Sequence, residues 1–322
     1  MIYFAFGLQM RLALPQAGQA RTKAVEASSP LGDKDRARWG WMRLPGRLVL
    51  HPAGRGGPVS AISDEILTRV RADLAARQAR ISLDEVKRRA LARPTALDGV
   101  GVLRGDGVAI IAEVSPSHPD RGSVAADYEL GGASVVSVAA GARYPAGSPG
   151  DLTDVRIRVQ VPVLCTELIL SSYQLWEARA HGADLVLLTV AALGQEELVS
   201  LVERAASIGL GAVVEVRDGR ELVRAVGAGA GVIAVAPRDP GTHDVDRVAL
   251  AHLLPLIPEG IVRVAECGSA GRSDLIACAR AGADALRVGA PLLAGGDPRG
   301  NVAALVAVGA HPALARGRRQ AV

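Results

Sequence analysis

The 322-residue chain is 49% hydrophobic and 22% charged, with 37 glycines and only 3% aromatic residues. That supplies apolar material for one large core or two modest ones, and it excludes a disordered, collagenous or disulfide-framework protein. Three cysteines, Cys165, Cys267 and Cys278, are too few and too oddly numbered for a stapled secreted fold and are not spaced as a zinc site. A reducing cytoplasm is the expected compartment.

The net charge of +4 is unevenly spread: residues 1 to 60 hold nine Lys/Arg against three acids, which leaves the remainder slightly acidic. No basic stripe with interleaved aromatics follows, so nucleic acid is not an expected partner. Nor does any window reach the eighteen apolar residues of a membrane span. Met1 to Leu14 is apolar but has no basic residue ahead of its apolar run and no clean small-residue cleavage site, which argues against a signal peptide. Residues 1 to 60 are therefore read as a disordered leader or an over-extended start, and residues 61 to 322 as a single domain.

Ile62 to Gln78 places Ile62, Ile66, Val70 and Leu74 four apart, predicting an amphipathic helix with Ser63 as N-cap. Ser82 to Leu91 predicts a second helix, capped by Ser82 with Glu85 completing a capping box. Eight strand candidates follow: 108–114, 134–139, 161–167, 184–190, 211–216, 231–236, 261–267 and 284–289. Helical stretches alternate with them, among them 173–181, 195–208, 219–226, 244–254, 273–281 and 301–308. Eight strands with eight connections predict an α/β fold of the closed (β/α)8 TIM-barrel type, with two extra helices in front. The phrases Gly131-Gly132-Ala133-Ser134, Gly182-Ala183-Asp184, Gly229-Ala230-Gly231 and Gly282-Ala283-Asp284 each precede a strand, as expected if glycine closes the preceding helix in a left-handed conformation. The rival is an open doubly wound sheet. It would usually show a Gly-x-Gly-x-x-Gly turn after the first strand, and Glu113 to Gly122 contains none.

In such a barrel the site is built at the carboxyl ends of the strands. Glu113, Glu215 and Glu266 end the otherwise apolar strands one, five and seven, either as solvated strand-end acids or as functional groups. The last two strands run into Glu266-Cys267-Gly268-Ser269 and Val288-Gly289-Ala290-Pro291, either simple turns or a phosphate cradle of backbone N–H groups. Arg287 within strand eight is unusual, and is read as an outer-face residue or as charge below the site.

The segments Tyr173 to Ala180, Val190-Ala191-Ala192-Leu193, Val214-Glu215-Val216, the Ala265-Glu266-x-Gly268 strand end and the close Gly309 to Leu314 resemble indole-3-glycerol phosphate synthase, over about Ile62 to the end of the chain. The resemblance implies a cofactor-free, metal-free lyase of tryptophan biosynthesis. Such an enzyme decarboxylates and closes 1-(2-carboxyphenylamino)-1-deoxyribulose 5-phosphate, with lysines as general acid and electrostatic partner, glutamate assisting proton transfer and glycines holding the phosphate. It implies a phosphorylated small molecule as partner and a monomer or weak homodimer. By the same resemblance Glu113 and Glu215 carry the catalytic glutamates, and Arg238, Glu266, Cys267, Gly268, Gly289 and Ala290 take the substrate and phosphate positions.

The departures from that pattern are chemical. The lysine after the first-strand glutamate is replaced by Ser115 or deleted, the strand-three general acid is Thr166, and the strand-six asparagine is Ala236. The Thr-Glu pair after strand two reads Ala140-Gly141, and the final Gly-Glu-Ser reads Gly289-Ala290-Pro291. The chain holds three lysines, Lys23, Lys34 and Lys87, and none beyond. Arginine keeps its proton and threonine does not ionise near neutrality, so neither replaces a lysine as acid. His118, in the first loop, is either a loop histidine or a substitute acid. Three outcomes are expected from this pattern: family chemistry weakened or lost, a lyase or isomerase with altered chemistry on a related phosphorylated substrate, or a non-catalytic metabolite-binding paralogue.

Overall fold

The computed structural model describes residues 39–44, 47–52, 62–142, 147–238, 244–267 and 271–314. The part of the expected leader that falls within these residues is an antiparallel pair, β1 (Trp39–Leu44) and β2 (Arg47–Pro52); its remainder lies outside them. Two helices precede the sheet, as the sequence predicts. In α1 (Asp64–Arg80) the Ser63 hydroxyl accepts from the Ile66 N–H at 3.3 Å. In α2 (Leu83–Leu91) Ser82 accepts from the Glu85 N–H at 3.3 Å, which is half of the expected capping box. The Glu85 carboxylate instead pairs forward, with Arg89 Nε at 2.7 Å and with Arg88, because i,i+3 and i,i+4 arginines offer it full charges. A short turn, α3 (Gly99–Val102), follows.

The rest alternates without exception: β3 (Ala109–Val114), α4 (Arg121–Leu130), β4 (Val135–Val138), α5 (Gly150–Arg156), β5 (Val163–Cys165), α6 (Ser172–Ala180), β6 (Leu185–Thr189), α7 (Gln195–Ser207), β7 (Gly211–Val216), α8 (Gly219–Gly227), β8 (Val232–Val235), α9 (Arg247–Leu253), β9 (Val262–Glu266), α10 (Arg272–Arg280), β10 (Ala285–Val288) and α11 (Pro298–Gly309). The strands β3 to β10 are parallel and close on themselves, β10 pairing with β3 through Ala285 and Ala109. The fold is a (β/α)8 barrel, and the open-sheet alternative is excluded by that last pairing. Of the strand-leading glycines, Gly132, Gly182, Gly229 and Gly282 have φ of +93°, +94°, +75° and +99°. A side chain there would be strained, so glycine is what allows helix to turn into strand within two residues.

Strand alternation divides the core into two layers. Ile111, Val135, Leu164, Leu187, Val213, Ala234 and Val264 point into the barrel, where they form one buried cluster with Leu103 and Ala285. Their chain neighbours, such as Ile110, Val136, Cys165, Leu188, Val214, Ile233 and Leu286, pack outward against the helices. Two residues further along, the inward positions become polar on every barrel strand but β8, where Ala236 stands.

Candidate active site at the barrel mouth

The inward positions above the apolar plug are Glu113, Ser137, Thr166, Thr189, Glu215, Ala236, Glu266 and Arg287. Arg287 sits opposite Glu266 in the β10–β9 register, and its guanidinium reaches all three strand-end acids. Nη2 lies 2.5 Å from Glu266 Oε2 and 3.4 Å from Glu215 Oε2, and Nη1 is 3.5 Å from Glu113 Oε2. A second arginine, Arg238, pairs with the other oxygen of Glu266, and Arg217 stands 4.0 Å from Glu215 Oε1. These six residues and Ala236 enclose a cavity of about 230 Å³. A neighbouring cavity of about 160 Å³ runs from Glu113, Glu266 and Arg287 to Cys267, Gly289 and Ala290. The wall therefore balances three guanidiniums against three carboxylates. Arg287 and Glu215 are 7% and 3% exposed, buried deeply enough that each charge requires the other.

Three comparisons with known proteins bear on this geometry. The sequence model of the family described as indole-3-glycerol phosphate synthase matches residues 63–305. The indole-3-glycerol phosphate synthase of Streptomyces griseus is 55% identical over 267 residues, covering 80% of this chain and 99% of the relative. Indole-3-glycerol phosphate synthase 1 of Streptomyces coelicolor is equally similar over the same span, and the Beutenbergia cavernae synthase is 51% identical over 263 residues, covering 79% of this chain and 97% of its own. The chain belongs to the indole-3-glycerol phosphate synthase family. Among solved structures, thiamine phosphate pyrophosphorylase from Pyrococcus furiosus superposes with a TM-score of 0.51 at 15% identity, covering 63% of this chain and 96% of its own, a likeness of fold alone.

Within an indole-3-glycerol phosphate synthase barrel, the departures noted above take physical form. Thr166 is fully buried and its hydroxyl donates to the Val138 carbonyl at 3.1 Å. It is tied to the main chain of β4 and offers no proton to the mouth. Ser115 faces its own loop, with its hydroxyl 2.8 Å from that of Ser117. His118 likewise turns into that loop, where Nδ1 lies 2.9 Å from the Asp120 carbonyl and 3.2 Å from the Asp120 N–H. Of the two alternatives for this histidine, the geometry is that of a loop residue shaping the start of α4. Cys267 borders the smaller cavity, but its thiol points outward to Cys278 on α10, 3.3 Å away. Alternation explains this: Glu266 faces in, so its successor faces out. Gly268 lies outside the described residues. Gly289 stands against Glu113, where an added Cβ would sit 3.7 Å away, in ordinary contact. Cys165 packs outward in the helix-facing core, and burial pushes its thiol far up.

A second ion cluster stands on the side of β4 and β5. Arg77 of α1 reaches over the barrel rim to Glu167, with Nη2 2.5 Å from Oε1, to Glu177 on α6, and to Asp73 at 2.9 Å. Glu167 fills the space above Gly141, where any Cβ would come within 2.5 Å of the Glu167 side chain, at a φ of +78°. A glutamate after strand two cannot coexist with this arrangement, which accounts for glycine there. Burial pushes the Glu167 carboxyl up, with Arg77 opposing, and holds Glu177 at about 7 by the same balance.

Arg287 as the hub of the three acids, and Arg77 as the clamp on Glu167, were not legible as such in the sequence. For Arg287 a signal existed: it shares parity along its strand with Ala285 and Gly289, and parity with an inward residue means an inward side chain.

Proposed function

We propose that this chain binds a phosphorylated sugar adduct at the barrel mouth and carries out the ring closure of its family weakly or not at all. Closure with loss of water and carbon dioxide needs a proton delivered to the departing hydroxyl and a cation beside the developing charge. The observation that carries the reading is the absence of lysine beyond Lys87 together with what stands in its place. Arg287 supplies the positive charge, yet its guanidinium keeps its proton and is already engaged by Glu113, Glu215 and Glu266. The Thr166 hydroxyl serves the main chain. What remains is a site that holds anions and orients a ligand through Arg238, the more accessible arginine, and through the turns at Gly289 and Ala290, without a transferable proton.

Purified protein assayed in the forward direction with 1-(2-carboxyphenylamino)-1-deoxyribulose 5-phosphate is expected to turn over at least ~10²-fold more slowly than its Streptomyces relatives, the usual loss with a general acid removed. Turnover at the relatives' rate overturns the reading. Thr166→Lys, assayed beside it, is expected to restore part of the rate if the remaining wall is competent. A second reading, a metabolite-binding paralogue without turnover, is favoured by the ion cluster itself, which engages all three carboxylates as acceptors. It expects the substrate to raise the melting temperature equally in wild type and Glu215→Gln. Altered lyase or isomerase chemistry run by Glu113, Glu215 and His118 expects Glu215→Gln to abolish a measurable reaction.

A further inference from the structure

Behind the mouth, between α9 and α10, lies a cavity of about 450 Å³. Its walls include Leu250 and Leu254 on one side and Ala277 and Ala281 on the other, with Arg238 and Glu266 at the end nearest the barrel. Cys267 and Cys278 face each other across this wall, with their sulfurs 3.3 Å apart. Both residues are shielded, at 6% and 5% exposure, yet both line the cavity, so a small solute entering it comes against them. Two thiols in contact need move only about another ångström to reach the ~2.05 Å of a disulfide bond. They stand on different elements, Cys267 directly after β9 and Cys278 in the second turn of α10.

We propose that Cys267 and Cys278 are an oxidisable dithiol that closes to an intramolecular disulfide when the protein meets hydrogen peroxide. The two sulfurs share one hydrogen bond in which either can donate; with Cys267 as donor, its S–H lowers the Cys278 pKa and makes Cys278 the attacking thiolate of the proposal. Its sulfur attacks one peroxide oxygen, the O–O bond breaks, and a sulfenic acid forms as the other oxygen leaves as hydroxide and takes a proton to become water. The Cys267 sulfur then displaces the sulfenic hydroxyl, which leaves with the Cys267 proton as a second water, and the S–S bond is made. Two thiols are oxidised by two electrons and one peroxide is reduced to two waters. The bridge forms one residue from Glu266, the carboxylate shared by Arg238 and Arg287, so oxidation is coupled to the wall of the mouth. Cys165, fully buried on another strand, has no part in it.

The test uses the full chain, fully reduced, then treated with stoichiometric hydrogen peroxide, alkylated and digested with trypsin. Cleavage after Arg263, Arg272 and Arg280 puts the two cysteines on adjacent peptides, 264–272 and 273–280. The expected result is that these peptides are recovered joined, two hydrogen masses light. The protein should stay monomolecular on non-reducing gels, and dithiothreitol should restore both thiols. In Cys267→Ser the sulfenic acid of Cys278 should persist long enough for capture by dimedone. Separate recovery of the two peptides, alkylated or over-oxidised, would overturn the proposal, as would linkage to Cys165 or between molecules, or dimedone capture on Cys267 in Cys278→Ser at an undiminished rate.

Discussion

The two sides of the barrel mouth carry much the same inventory, arginines facing carboxylates, but use it differently. On the side of strands β3, β7, β9 and β10, Arg287 and its three glutamates line a cavity. On the side of β4 and β5, Arg77, Glu167 and Glu177 fill the space they occupy, and Gly141 is recessed to admit them. The first cluster lines a cavity, and the second crowds the space beside Gly141. Charge at a strand end is therefore not sufficient evidence of a site, and whether the ion pairs enclose volume or consume it decides the matter.

The sharpest break in that comparison is Arg77→Met. It strands two buried carboxylates, and should cost about 3–4 kcal/mol in urea unfolding at pH 7 while leaving anion binding at the mouth unchanged. A pH dependence accompanies it. Glu177, held at about 7 against 4.5 when unfolded, takes up a proton on folding between those values. Its contribution therefore favours the folded state less as pH rises from about 4.5 to 7. Without Arg77 the carboxyl should shift further upward, so the loss of stability should extend above pH 7. A variant whose unfolding midpoint has the wild-type pH dependence would contradict the assignment.

Arg287→Met should cost about 3 kcal/mol, toward the low end for a broken buried pair because the cavity admits water to the freed glutamates. Unlike Arg77→Met, it should abolish the thermal stabilisation given by the phosphorylated substrate. Gly141→Ala, with φ of +78° and Glu167 in the way, is expected to cost roughly 2 kcal/mol, measurable by calorimetry, again without effect on the ligand. The smallest stability effect belongs to Arg238→Ala. This pair with Glu266, its arginine about one-third exposed, should contribute under about 1 kcal/mol, yet its loss should weaken substrate binding, seen as a smaller ligand-induced shift. If Arg77→Met and Arg287→Met moved ligand binding alike, the two sides would not differ as described.

Much of the barrel could be read along the chain. The strand at 211–216 was placed to the residue, and the others to within one or two positions at either end, because a buried parallel strand bounded by glycine is a local pattern. At 161–167 the expected strand starts only at Val163, since Pro162 has no N–H to offer the ladder, and it ends at Cys165. The acids at 113, 215 and 266 were recognised individually as strand ends. Their common partner was not, and neither was the outward turn of Cys267 onto Cys278.

Sequence alone determined the alternation of elements, the glycines that turn helix into strand, and the chemical deficit of a domain with no lysine after residue 87. These depend on neighbours within a few positions or on simple residue counts. Tertiary packing decided the rest: closure of the sheet brings residues 113, 215 and 266 around the Arg287 guanidinium, and the position of α1 carries Arg77 across to Glu167. Charges separated by dozens of residues acquire their partners only when the chain returns to itself, and whether they then guard a cavity or fill one depends on packing that no local pattern encodes.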